Sequence, residues 1–219
     1  MTPFRYPDRL HRRTRSPQPF PKAAQFKQDL RKEFNCKCVY CCMPDGFGTL
    51  DSFGVDHYLP KSLPQYAHLE LVYSNLFYAC NRCNQLKSNR DPKKDGHFIP
   101  NPCDHRMADY VQYAGIDVVY RNRKGEYFID ALRLNEEERL RVRDRITDYI
   151  AAVVQALDLT GARIRGIEEE LSAAGDPGRR SALEDRLREE GDRSEHFRES
   201  LSRLLGCGSE AAKLPAASP

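Results

Sequence analysis

Apolar positions change period several times along the chain. Ala23, Phe26, Leu30 and Phe34 recur at helical spacing with charges between them, predicting a helix over residues 22–34. Residues 53–59 form a short β-rich run that Pro60 interrupts, and Pro64 keeps the next segment a loop. Residues 69–79 are apolar and aromatic around Asn75. Residues 80–88 read as a turn that becomes a helix, ended before Pro92 because the residue ahead of a proline avoids helical geometry. Residues 116–120 and 127–129 predict two strands joined by a turn over 121–125. A long helix is expected after a cap at or near Asn135, with Glu136, Glu137 and Glu138 in its first turn, where the dipole favours acids. Leu140, Ile146, Ile150, Val153, Val154 and Leu157 give it an apolar stripe. Gly161 interrupts the stripe, and Ile164, Ile167 and Leu171 resume it. After a turn over 174–178, Leu183, Leu187, Phe197, Leu201, Leu204 and Leu205 mark one more helix, weakened at Gly191. These last two helices are expected to pair as a hairpin.

Composition narrows the class. At 219 residues the chain is one domain of moderate size, or one with an appendage, and it has no tryptophan. No apolar run approaches a membrane span, and no secretory signal is visible, so a soluble cytoplasmic protein is expected. The formal net charge of +3 says little, but residues 1–37 hold ten Lys and Arg against three Asp and Glu. Prolines at 3, 7, 17, 19 and 21 forbid a regular helix there, so an extended basic arm is expected, with its Phe and Tyr docking on the body and Arg12, Arg13 and Arg15 tracking a phosphate backbone. The expected organisation is an arm and helix over 1–37, a central domain over 38–132, a helical extension over 133–206 and a disordered tail over 207–219. A small core needs one or two supporting helices, and the extension spends some seventy residues on them. Its apolar stripe is therefore expected to dock a protein partner or a second copy.

The candidate chemistry is concentrated between Cys38 and Arg90. Two Cys-x-x-Cys pairs, Cys38/Cys41 and Cys80/Cys83, have zinc-ligand spacing. Cys36 and Cys42 crowd the first pair as bystanders or alternative ligands. Without a visible signal sequence, the eight cysteines favour metal binding over a disulfide framework. Between the pairs stand Asp56, His57 and Asn75, and directly after them Asn84 and Lys87. Asp and Asn oxygens suit magnesium or manganese rather than zinc. Adjacent residues of a strand point to opposite faces. Asp56 can therefore hold a metal with Asn84 while His57 faces an attacking water, an arrangement suited to phosphodiester hydrolysis. The Asn75 amide can bond backbone on both sides and fix the loop after Leu59. Lys61, Lys87 and Arg90 are expected to contact nucleic-acid backbone.

The order CxxC, Asp-His, Asn, CxxC-Asn-x-x-Lys resembles the HNH endonuclease family, in its zinc-bearing branch. The resemblance implies an α+β chain with a ββα-metal core, His57 as general base, Asp56 and Asn84 on a catalytic Mg²⁺ or Mn²⁺, and Asn75 as the central asparagine. It also implies structural Zn²⁺ on Cys38, Cys41, Cys80 and Cys83, and DNA as substrate. Asn84 departs from the histidine often found at its position. More loosely, the basic arm and the segments Asn101–Pro102–Cys103–Asp104–His105 and Leu132–Arg133–Leu134–Asn135 look like bacterial anti-phage HNH effectors, such as the Septu nuclease subunit, which works with an ATPase partner. Two other readings stay open: a zinc-stabilised nucleic-acid- or partner-binding module without catalysis, and an RNA-directed enzyme.

Overall fold

The computed structural model describes residues 3–48 and 52–205. The tail expected to be disordered lies outside them. The chain divides into two compact units after Ile146.

The first unit is α+β, with two small antiparallel hairpin sheets and short helices around one aromatic core. The predicted first helix is a 3₁₀ turn, Ala23–Phe26, running into α1, Lys27–Glu33. Strand β1, Phe53–His57, pairs with β2, Leu76–Cys80, so that His57 lies opposite Leu76 and Phe53 opposite Cys80. All five residues of β2 are buried. Phe53 stacks on Tyr78 at 5.1 Å and Phe34 meets Phe77 at 5.4 Å. These large rings supply the apolar burial that holds a two-stranded sheet, which is marginal by itself.

Helix α2, Asn81–Lys87, follows β2 without a loop. The Cys80 sulfur caps it by accepting from the Cys83 amide at 3.5 Å. Ser88, at φ 50°, ends it. Strand, strand and helix form the expected ββα unit. In the turn ahead of β1, Asp45 is buried and accepts from both arms of the Arg31 guanidinium, at 2.5 and 3.0 Å, and from the Tyr78 hydroxyl at 2.8 Å.

The second sheet corrects the predicted hairpin. Its strands are β3, Val111–Ala114, and β4, Asp117–Tyr120, joined at Gly115. Residues 127–129 belong to helix α3, Arg123–Ala131. The Asn122 side chain caps α3 by accepting from the Gly125 amide at 2.9 Å. Phe128, Ile129 and Leu132 are buried at helical spacing, a period that a three-residue window hid. Gly125 is obligatory: a Cβ there would sit 1.9 Å from the Tyr110 carbonyl oxygen. Asn135 is no helix cap. Its side chain bridges the Val118 backbone, accepting from N at 2.9 Å and donating to O at 2.7 Å, while the Leu140 amide bonds the Glu136 carbonyl at 3.0 Å.

The second unit contains most of α4, Glu137–Ala173, and all of α5, Pro177–Leu205. Ion pairs Arg163–Glu190 at 3.7 Å and Arg179–Glu170 at 3.9 Å make the two helices antiparallel. Gly161 and Gly191 break neither helix. A glycine costs roughly 1 kcal/mol in a helix interior, too little to interrupt one that packs along its length. Leu183, Leu201 and Leu204 are buried and Leu187 and Phe197 half-buried, so the stripe expected to dock a partner is not an exposed face. Among the described residues no helix is long and apolar enough to cross a membrane.

Candidate active site and metal centre

The two Cys-x-x-Cys pairs meet. The sulfurs of Cys38, Cys41, Cys80 and Cys83 are buried and lie within 4.8 Å of one another. The first pair sits on a tight knuckle, closed by bonds from the Cys42 amide to the Cys38 carbonyl and from the Cys38 amide to the Met43 carbonyl, both 2.9 Å. The second pair brackets the start of α2. Cys41 and Cys80 sulfurs are 3.7 Å apart, close to the roughly 3.8 Å edge of a tetrahedron with Zn–S bonds of about 2.3 Å. The donor set and spacing fit one tetrahedral zinc. Cys36 and Cys42 are buried but outside this cluster. Arg139, at the start of α4, donates to the Cys83 sulfur at 3.5 and 3.6 Å, placing a cation beside the thiolates.

Strand β1 carries Asp56 and His57 to opposite faces. A Cβ added to Gly54 would meet Asn81 and Asn84, so the Gly54/Asp56 face is the one covered by α2. Asp56 is buried. It accepts from the Lys87 ammonium at 3.1 Å and, in a short hydrogen bond, from the Tyr40 hydroxyl. Burial first, and then the Asp56 charge, push the Tyr40 phenol far up, so it stays protonated as a donor. Asn84 donates through Nδ2 to the Val55 carbonyl at 3.4 Å, which leaves Oδ1 as an acceptor. Each carboxylate oxygen of Asp56 keeps a second lone pair. One carboxylate and one amide oxygen on the same side of β1 are donor types that a hard cation such as Mg²⁺ or Mn²⁺ takes.

His57 lies on the other face, half-buried. Its Nε2 is 2.9 Å from the Glu70 carbonyl oxygen. A carbonyl can only accept, so Nε2 carries the proton and Nδ1 holds the lone pair of the neutral ring. Burial lowers the imidazole pKa below its ordinary value, partly offset by the Glu70 bond. Glu70 belongs to the loop after β1, and Asn75 holds that loop. Asn75 accepts from the Leu59 amide at 2.9 Å and donates to the Leu59 and Leu69 carbonyls at 3.1 and 3.3 Å.

Of the cations expected on the surface, Lys61 is exposed, Arg90 is half-buried and Lys87 is withdrawn. Lys87 is fully buried, bonded to Asp56 and, at 2.7 Å, to the His57 carbonyl. It is part of the fold of the site, not a free phosphate contact. Lys61 pairs with the Glu70 carboxylate, and Arg90 donates to the Leu86 carbonyl one turn back. The arm is a strap bound to the body. Phe4 and Tyr6 are buried against Tyr113, and the His11 amide donates to the Pro102 carbonyl at 2.8 Å. Glu33 anchors its middle, accepting from the amides of Thr14 and Arg15 at 2.9 and 3.0 Å and facing the His11 ring at 3.2 Å. Burial raises the Glu33 carboxyl, but those bonds outweigh it and hold its pKa below the usual range. Arg13 is drawn in among Phe34, Tyr73 and Phe77, and Arg15 reaches Asp29 at 3.5 Å; Arg12 stays exposed.

Two of these groups carry no sequence signal of their own. Tyr40 lies inside the first knuckle, where no periodicity marks it. Glu70 acts on His57 through its backbone, which any residue could supply.

The order of residues from the first knuckle through α2 now has a geometry that can be compared. Residues 38–90 match the model of the HNH endonuclease family. No curated protein and no solved structure matches the chain. The HNH segment includes both cysteine pairs, Asp56, His57, Asn75, Asn84 and Lys87. The strap, Glu33 and Arg139 lie outside it.

The buried Asp56–Lys87 pair within the HNH segment gives a direct test. Removing one partner of a buried ion pair costs about 3–5 kcal/mol, because the other charge is left uncompensated. Lys87→Met is expected to lower the stability read from urea unfolding by that amount, and Asp56→Asn added to it to recover much of the loss. A Lys87→Met protein as stable as the parent would mean that Lys87 is a surface cation.

Proposed function

We propose that the chain is a metal-dependent endonuclease that hydrolyses DNA phosphodiesters, with His57 as general base. The observation that carries this is the bond from His57 Nε2 to the Glu70 carbonyl. It fixes the ring and its tautomer, leaving Nδ1 to take a proton from water. The lowered pKa favours the neutral ring needed for that role. As the ring becomes an imidazolium, the Glu70 oxygen stabilises the charge on its Nε2 side. Asp56 and Asn84 would hold Mg²⁺ or Mn²⁺, which when bound supplies neutralisation of charge on the phosphate and the departing oxygen. Lys87 and Tyr40 hold the Asp56 carboxylate in one orientation. Zinc on the four cysteines staples the knuckle to α2. Exposed Arg12 is a candidate backbone contact. Thiols kept for a metal suit a reducing compartment, hence the cytoplasm.

One observation favours the second reading, a zinc-stabilised binding module without catalysis: both oxygens of Asp56 are already engaged by protein donors. Supercoiled plasmid incubated with the protein and Mg²⁺ or Mn²⁺ separates the two. Nicked or linear DNA that requires the added cation supports the nuclease. Plasmid that is retarded in a gel but stays uncut with either cation supports the binding module.

A further inference from the structure

Arg13 is the best-built feature that the nuclease reading does not use. It lies outside the HNH segment, on the strap. Its guanidinium carbon is 4.7 Å from the ring centroids of Phe34 and Phe77 and 5.2 Å from that of Tyr73. Its Nη2 donates to the Leu76 carbonyl at 2.7 Å and approaches the Ser74 carbonyl at 3.4 Å. Those two carbonyls flank Asn75. One planar cation therefore grips the backbone on both sides of the residue whose amide holds Leu59 and Leu69. Glu70, next to Leu69, supplies the carbonyl that orients His57, and Leu76 is the direct strand partner of His57.

We propose that Arg13 is a positioning residue for the His57 site, acting through Asn75 and the loop from Leu59 to Glu70. It touches no reacting atom. The strap thereby completes the site from outside the HNH segment, and the proposal rests on the nuclease reading above. Lysine cannot replace it in full, because an ammonium is a compact, strongly hydrated point charge that lacks the broad, weakly hydrated guanidinium seated among the three rings.

The test compares Arg13→Lys and Arg13→Gln with the parent protein, each loaded with zinc and assayed on DNA with Mg²⁺. Both variants are expected to keep zinc and to lose kcat by roughly 10-fold to 10²-fold, the scale of a small misplacement of a catalytic group, with KM unchanged. The Leu59 amide, which bonds Asn75, is expected to exchange with deuterium faster in both. The salt dependence of DNA affinity should stay that of the parent. Four outcomes overturn the proposal. Full activity in Arg13→Lys would show that only charge matters. A log–log salt slope flattened by about 0.9 in Arg13→Gln would make Arg13 a phosphate contact. Unchanged Leu59 exchange would remove the route through Asn75. Loss of zinc or of the folded state in both variants would make Arg13 a support of the whole fold. If the parent protein itself does not cut, the nuclease reading has failed, and Leu59 exchange still decides whether Arg13 holds the loop.

Discussion

Replacing His57 with alanine is expected to reduce DNA cleavage by about 10²–10⁴-fold, the usual contribution of a general base. Zinc content and thermal unfolding should stay at their parent values. The ring is half-buried and, among the described residues, bonded only to the Glu70 carbonyl, on the face of β1 turned away from α2 and Lys87. Alanine keeps the strand pairing with Leu76, since that is made by backbone. The carbonyl left behind is on a surface loop and can turn to water. Activity should therefore fall without the fold. A rate within a few-fold of the parent would remove His57 from the chemistry. A fall matched by lost zinc or a lower unfolding temperature would assign it a structural task. Cleavage of a linear duplex in Mg²⁺, with zinc measured by elemental analysis, reads both.

The second large effect is expected from Cys80→Ser. The Cys80 sulfur has two tasks at once: it belongs to the four-sulfur cluster and it accepts the amide of Cys83 at the first turn of α2. A serine oxygen sits closer to its Cα and is a poor partner for zinc beside three thiolates. Structural zinc contributes an apparent binding energy on the order of 10–16 kcal/mol at neutral pH, comparable to or larger than the whole stability of a domain. Cys80→Ser should therefore contain less than one zinc per chain and show a lost or much lowered cooperative melt. Cys103→Ser is the control. Cys103 is half-buried outside the cluster; its backbone amide bonds Asn101 Oδ1 at 2.9 Å, and its sulfur lies beside Arg13, a contact that a serine hydroxyl can keep. It should keep zinc and melt like the parent. One full zinc in Cys80→Ser would show that the ligand set is wrong.

The ββα unit was legible because its signals are local. Paired cysteines at fixed spacing, a β-rich run ending at a proline and a polar turn entering a helix each act over a few residues. Arg13 was misread for the opposite reason. Prolines and arginines describe an arm that is not a helix, but the seat of Arg13, among Phe34, Tyr73 and Phe77 and at the Leu76 carbonyl, lies farther along the chain. Lys87 was misplaced in the same way. A lysine after a cysteine knuckle reads as surface charge until Asp56 is folded against it. The second hairpin failed on length: residues 127–129 carry β-prone side chains, and only the Asn122 cap and the distant Leu132 reveal the helix.

The strap also sets an order of events during synthesis. Phe4, Tyr6 and His11 leave the ribosome well before their seats, since they dock on Tyr113 and the Pro102 carbonyl, about a hundred residues later. The seats for Arg13, at Ser74 and Leu76, and the second cysteine pair also emerge long after it. The nascent chain must hold the strap unplaced while the central part forms, and only then close it over that part. A chain cut short by a failed message before Tyr113 would carry the whole of residues 38–90 without a seated strap. Such fragments would be released with the loop from Leu59 to Glu70 unbraced, so closure of the strap dates the moment at which that loop gains its outer support.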